Sequence, residues 1–403
     1  MNTDNFTFLC RSRSLFGKNA LEHLPFELSG MGARKVFVLR DNASESSDSI
    51  RHLRPAFADS GMTLGLCPPP DQNSGTGTDI LKDCYRTFTG KGYDSIIALG
   101  TGPITDLAKA LNLAVSLGPE VFKRGIQPQD QAKSLLPFAY LPTRGGSGRE
   151  SSCRACCNAQ IFELPALSPD IVLTDERLMA ADTKANITGS AFSALSVCCE
   201  TFVFADNPMA KAYASAGISL LMEHLFPLLE TENEWNARPA AVGNKYRRNL
   251  ACIAHASAIS GFLLANSTSI ISFHLGNFIA ENADTSGLTA GSAAAIFLPR
   301  VLELFAGNTP ALAQLLLPLR GQDAFSAVPP AQQAAAAIHT LQNILNRFYQ
   351  ISFGAVPRSL GDAGIDKSAV ARLQEKIQQE DIWTETGISG AGRDKIAAVL
   401  LRS

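Results

Sequence analysis

The sequence predicts an α/β fold over residues 1–180 followed by an all-α domain over residues 181–403, and three observations carry the prediction. In the first third, short apolar runs alternate with stretches of helical periodicity. Two loops rich in Gly, Ser and Thr each follow an apolar run in that same half, at 100–103 and 142–150. Beyond residue 182 the chain turns to long Ala- and Leu-rich stretches with no β-rich segment between them.

Residues 21–28 read as a short helix, 35–39 as a strand after Gly32, 47–59 as a helix and 62–66 as a second strand, which is a βαβ rhythm. A turn-rich stretch over 67–78, with three consecutive prolines, leads into a helix over 80–88 and a strand over 94–99. A further strand over 136–141 ends in the second glycine loop. The second half predicts helices over 185–204, 208–229, 236–266, 291–305, 331–351 and 367–379, with a last turn or two near 394–401.

At 403 residues, 46% of them hydrophobic, the chain can fill two cores. A net charge of −2 without a basic tract gives no electrostatic footprint for nucleic acid. The N-terminus lacks the basic start and apolar stretch of a secretory signal, and no uninterrupted apolar run approaches the roughly 20 residues that cross a bilayer. The expectation is a cytoplasmic protein with no membrane partner. Nine cysteines at irregular spacing argue against a disulfide framework. Cys153, Cys156 and Cys157 cluster as a metal or redox site would, but no second pair has ligand spacing, so buried or incidental thiols are expected.

The loops carry the chemistry. Gly100-Thr101-Gly102-Pro103 forms a tight strand-to-helix turn with Asp106 one turn inside the helix. Small residues there allow close approach of a pyrophosphate, and helix-start amides favour its charge. The second loop, with Thr143, Arg144 and Ser147, falls at another strand end, the arrangement of a site at the carboxyl edge of a parallel sheet. Asp41, just past the 35–39 strand, can accept hydrogen bonds from an adenosine ribose and would repel a 2′-phosphate. NAD is therefore expected, with NADP kept open by Arg40 and Arg144.

These residues resemble the iron-containing (group III) alcohol dehydrogenase superfamily, which includes glycerol dehydrogenase-like and maleylacetate reductase-like enzymes. Residues 16–21 (FGKNAL) resemble the family opening, Gly100–Pro103 with Asp106 and Lys109 resembles its GGGSxxDxAK turn, and residues 142–150 (PTRGGSGRE) resemble PTTAGTGSE. Residues 168–178 resemble the PDxAixDPxL stretch, and Leu298-Pro299 the LP after the metal loop. The resemblance implies a dehydroquinate synthase-like or group III alcohol dehydrogenase-like fold, with an α/β dinucleotide-binding domain, an all-α C-terminal domain and an active-site cleft between them. It also implies a small alcohol or carbonyl substrate and a homodimer.

At the family's metal positions the chain departs from the pattern. Ser193 stands where the resemblance places an aspartate, Val197 where it places a histidine four residues on, and Ala290 where it places the later histidine of a PHG turn. His274 matches the first histidine of the intervening helix if a small insertion follows it. Hydroxyls and hydrocarbons are poor ligands for iron or zinc, so no Fe or Zn is expected. A substitute donor set would have to come from Cys198, Cys199, Glu200, His274, Glu281 and Asp284. The segment 150–168 is also shorter than the family's hairpin, with Arg154 but no lysine.

Three readings follow from this pattern. The first is a metal-independent NAD(P)-dependent alcohol dehydrogenase or carbonyl reductase in which His274, Ser272 or Ser193 polarises the carbonyl. The second is a noncatalytic nucleotide- or partner-binding protein. The third is altered chemistry on a phosphorylated substrate held by Arg144 and Arg149.

Overall fold

The computed structural model describes residues 5–41, 43–67, 77–157, 160–230, 234–239, 241–267, 270–283, 288–307 and 309–379. Asp284 and the turn expected near 394–401 lie outside them, as does most of the turn-rich stretch over 67–78. The chain forms two units, one of Cys10–Ala181 with Ala240–Gly261, the other of Met1–Leu9, Asp182–Pro239 and Phe262–Ser403.

The first unit is an α/β unit. Its six strands are β1 (Arg13–Phe16), β2 (Lys35–Arg40), β3 (Thr63–Leu66), β4 (Ser95–Leu99), β5 (Phe138–Leu141) and β8 (Ile171–Thr174). They lie in the order β1-β8-β5-β4-β2-β3, and every pair is parallel. β4, β5 and β8 are buried throughout, as strands covered on both faces must be. The helices are α1 (Leu24–Gly30), α2 (Ala43–Phe57), α3 (Gly77–Lys91), α4 (Pro103–Leu117) and a single turn, α5 (Val121–Arg124).

From β2 the chain steps outward to β3, then crosses back to place β4 on the other side of β2. This reversal opens a crevice at the carboxyl ends of β2 and β4. β1 at one edge and β8 beside it were not legible as strands by sequence, whereas β2, β3, β4 and β5 were. β6 (Arg154–Cys157) and β7 (Gln160–Glu163) form an antiparallel hairpin of their own.

Residues 240–261 belong with this unit although the sequence places one division at 180/181. Most of α8 (Asn244–Leu264) lies in that stretch. Ser151 donates to the Ala258 carbonyl at 2.7 Å, Arg247 to the carbonyls of Arg177 and Met179, and the His255 ring packs against Phe16 at 4.7 Å.

The helical unit contains α6 (Lys184–Phe204), α7 (Pro208–Leu229), α9 (Ile271–Asn282), α10 (Ala290–Ala306), α11 (Pro310–Gln314), α12 (Leu316–Ala327), α13 (Gln333–Ile351) and α14 (Lys367–Gln379). Thr183 caps α6, Asn207 caps α7 and Thr289 caps α10, each accepting from an amide of the first turn. α6 and α7 are long and apolar enough by composition to cross a membrane, although no unbroken apolar run marks them. In α6 the apolar window is 83% buried inside the protein, the pattern of a core helix.

α6, α9 and α10 approach through small residues. A Cβ added at Gly291 would fall 1.8 Å from the Gly189 carbonyl oxygen, and one at Gly276 would fall 2.3 Å from that of Ala290. Gly291→Ala should therefore force the α6 and α10 backbones apart, costing about 1–3 kcal/mol of stability. Gly90→Ala, on an exposed helical surface with open space around it, should instead add up to about 1 kcal/mol. Thermal unfolding of the two variants checks the opposite signs.

Candidate functional site

At the crevice of the α/β unit, β4 ends in Leu99 and β2 in Arg40, with Gly100 and Asp41 the next residues. Gly100 has φ +150°, and a Cβ there would meet the Asp41 carboxylate at 3.0 Å. Glycine is thus required both by the backbone and by the carboxylate lying over it. Gly102 (φ +51°) precedes Pro103, which opens α4 with the ring that suits a first helical position.

Glu150 joins the two glycine loops. Its Oε1 accepts from the amides of Gly102 and Ser147, both at 3.1 Å, and its Oε2 accepts from the Ser147 hydroxyl at 3.2 Å. The carboxylate is almost fully buried and sits beside Gly146, where a Cβ would come within 3.0 Å of it. Pro103 carries no amide hydrogen, the Gly102 amide is engaged, and the Ile104 amide donates to the Thr101 carbonyl. The start of α4 consequently offers fewer free amides than its sequence suggests. Thr143 is itself buried, and its carbonyl accepts from the Ala180 amide at 2.8 Å.

Beneath the loops lies Lys109, fully buried on α4. Its ammonium donates to the carbonyls of Arg149 and Ser152 at 2.9 Å and of Arg154 at 2.7 Å. Burial pulls its pKa down to about 8, against the opposing pull of Asp106 and Glu150. Asp106, one turn before it, accepts from the Cys156 amide at 3.0 Å and so anchors β6; burial raises its pKa. Sequence reasoning took Lys109 and Glu150 only as motif residues. The signal for Lys109 was a lone lysine inside the otherwise apolar stretch Leu107–Leu111.

In the helical unit, Ser193, Val197 and Glu200 follow one face of α6 at i, i+4 and i+7 spacing. All three are buried. Glu200 accepts from the Ser272 amide at 3.0 Å (Oε1) and 3.1 Å (Oε2), and from the Ser272 hydroxyl at 2.8 Å, so it caps the first turn of α9. Burial raises the Glu200 pKa to about 8, and the Ser272 bonds oppose the rise. Ser272 is fully buried with its hydroxyl spent on Glu200. His274 is half-buried one turn into α9, its ring edge-on to Phe273 at 5.6 Å.

The residues here do not fit a divalent metal. Val197 presents hydrocarbon, Ala290 presents none of a histidine's donors, and Cys198 is a buried thiol pushed up to about 12. Among the described residues no three His, Cys, Asp or Glu side chains are grouped to hold an ion.

Two predictions follow from these networks. Glu150→Ala leaves the half-buried Gly102 and Ser147 amides unpaired and Lys109→Met orphans three carbonyls, so each should destabilise the protein by about 1–3 kcal/mol, read by denaturant unfolding. Glu200 has a folded-state pKa raised from 4.5 to about 8, so the unfolded chain loses this proton first. Its contribution is full below about pH 4.5 and falls as pH rises toward 8, by at most about 1.4 kcal/mol per pH unit. Glu200→Gln should flatten that slope in unfolding curves taken across the same range.

Residues 11–176 match the family described as iron-containing alcohol dehydrogenase. The NAD-dependent methanol dehydrogenase of Bacillus methanolicus is 22% identical over 257 residues, 60% of this chain and 65% of that protein. Maleylacetate reductase 1 of Cupriavidus pinatubonensis is 26% identical over 235 residues, 57% of this chain and 59% of that one. The aligned stretches thus span less than two thirds of either relative. The solved alcohol dehydrogenase from Oenococcus oeni superposes with a TM-score of 0.76 at 16% identity, covering 99% of this chain and all of that one. The chain therefore has the fold of iron-containing (group III) alcohol dehydrogenases, and its described residues hold no cluster of metal-ligand side chains.

Proposed function

We propose that the chain is an NAD(P)-dependent alcohol dehydrogenase or carbonyl reductase that works without a metal ion. The observation that carries this reading is the crevice at the ends of β2 and β4, where Asp41 lies over Gly100. Asp41 would hold the adenosine ribose and favour NAD, while Gly100, Thr101, Gly102, Pro103, Thr143, Arg144 and Ser147 would surround the pyrophosphate. Asp106 holds the β6 strand against α4 and so supports those contacts indirectly. A nicotinamide supplies hydride chemistry when bound.

The helical unit would supply hydrogen-bond donors to the substrate oxygen. His274 is the group we assign to that role, with Ser193 as a second donor; Ser272, held by Glu200, fixes the helical turn that carries His274. Imidazole titrates near neutrality, which suits proton transfer to a developing alkoxide. The substrate class is a small alcohol or carbonyl compound, and the assembly a homodimer, which light scattering checks.

A second reading is favoured by the apolar filling at Val197 and Ala290: a nucleotide-binding protein without turnover. One experiment separates the two. Metal-stripped protein should bind NADH by nicotinamide fluorescence, with an affinity unchanged by Fe²⁺ or Zn²⁺, and should oxidise it in an aldehyde and ketone screen. His274→Ala should then lower kcat by about 10²-fold or more while leaving NADH affinity unchanged. Binding without turnover on any carbonyl favours the second reading, and no binding of NADH or NADPH overturns both.

A further inference from the structure

Cys67 and Cys84 face each other inside the α/β unit with their sulfurs 3.5 Å apart. Cys67 directly follows β3, the edge strand, and its amide extends the ladder by donating to the Val38 carbonyl at 2.9 Å. Cys84 projects from α3. Both are unbridged thiols, 9% and 3% exposed. The Cys67 carbonyl in turn accepts from Arg40 Nε at 3.5 Å, and Arg40 immediately precedes Asp41.

We infer that Cys67 and Cys84 are a reversible disulfide site whose oxidation state is transmitted to the Asp41 end of β2. The sulfurs need to close from 3.5 Å to about 2.05 Å, a movement shared between side-chain rotation and a shift of the β3 end toward α3. The pair is also chemically polarised. The Cys84 S–H bond and the nearby Arg40 guanidinium hold Cys67 below the ordinary thiol range, while the proton is retained on Cys84, whose pKa is raised. Cys67 is then the attacking sulfur and Cys84 the resolving one.

With a peroxide as oxidant, the Cys67 sulfur attacks one peroxide oxygen. The O–O bond breaks, a sulfenic acid forms and one water leaves. Cys84 sulfur next attacks the sulfenic sulfur; the S–S bond forms, the S–O bond breaks, and the hydroxide departs with the Cys84 proton as a second water. The two sulfurs lose two electrons in total, which reduce one peroxide to two waters. A dithiol reductant reverses the result by exchange.

The consequence at Asp41 follows from connectivity. Drawing the end of β3 toward α3 displaces the Cys67 carbonyl, which is a partner of Arg40, at the strand end that presents Asp41 to the crevice. This half of the inference rests on the nucleotide-binding reading given above; formation of the disulfide does not.

The full-length protein is treated with hydrogen peroxide, capped with N-ethylmaleimide, digested without reduction and mapped by mass spectrometry, and NADH affinity is measured before and after oxidation. The expected result is a linked pair of peptides bearing Cys67 and Cys84, two fewer capped thiols, and full reversal by dithiothreitol. NADH affinity should change several-fold on oxidation in the parent protein and stay constant in both Cys84→Ser and Cys84→Ala, which also lack the linked peptides. Both thiols remaining open to capping after peroxide, or Cys67 joined to another cysteine, overturns the site. A disulfide that forms while NADH affinity stays constant overturns the coupling to Asp41. If the reduced protein binds no NADH, the nucleotide reading falls while the linked peptides still decide the disulfide.

Discussion

Three carbonyl oxygens, those of Arg149, Ser152 and Arg154, converge on the ammonium of Lys109, and the architecture of the sheet edge depends on that convergence. An ammonium this deeply buried is tolerable only with its donors satisfied. Here it is satisfied by the backbone of a loop rather than by a carboxylate, so the charge is converted into loop position. The loop fixed in this way contains Glu150, which bonds the amides of Gly102 and Ser147. A single chain of contacts therefore runs from the interior of α4 to both glycine loops.

That chain alters what the turn after β4 can do. A helix start preceded by glycines is ordinarily a concentration of unpaired amides, and its attraction for phosphate comes from those donors and the helix dipole. Glu150 already places a negative carboxylate on one of them, and Pro103 removes another. The arrangement exchanges part of the turn's capacity for an external anion against rigidity of the two loops. The Ser147 amide and hydroxyl of the second loop are spent on the same carboxylate.

The sequence disclosed β2, β4 and β5, because buried parallel strands read as apolar runs such as Ile96–Leu99, the edge strand β3 through its place in the βαβ rhythm, and the long helices through their composition. Both boundaries of α7 were predicted to the residue, as was the start of α14 at Lys367. β1 was missed because an RSLF segment has no alternation, and α11 and α12 because they are short and broken by Pro310, Pro318 and Gly321. At the site, Asp41 and the glycines were legible from local pattern. The link from Glu150 to Gly102 and the Lys109 network were not, since those partners lie 40 to 48 residues away in sequence and their energy is in burial and geometry that no spacing rule encodes.

In the helical unit the same logic of burial leads to a different outcome. Glu200 has Ser272 as its hydrogen-bonding partner and burial as the dominant influence on its titration, with no neighbouring cation among its electrostatic causes. A carboxyl group in that setting is held in the neutral form up to about pH 8. Beside it on α6 are the buried thiols Cys198 and Cys199, whose pKa values are likewise raised by burial. The polar content of this face is therefore a set of neutral hydrogen-bonding groups. Neutral carboxyl and hydroxyl groups paired in this way orient a helix, here the first turn of α9 that leads to His274. Ser193 and Val197 line the same buried face of α6 as Glu200, whose carboxyl burial holds neutral and Ser272 engages.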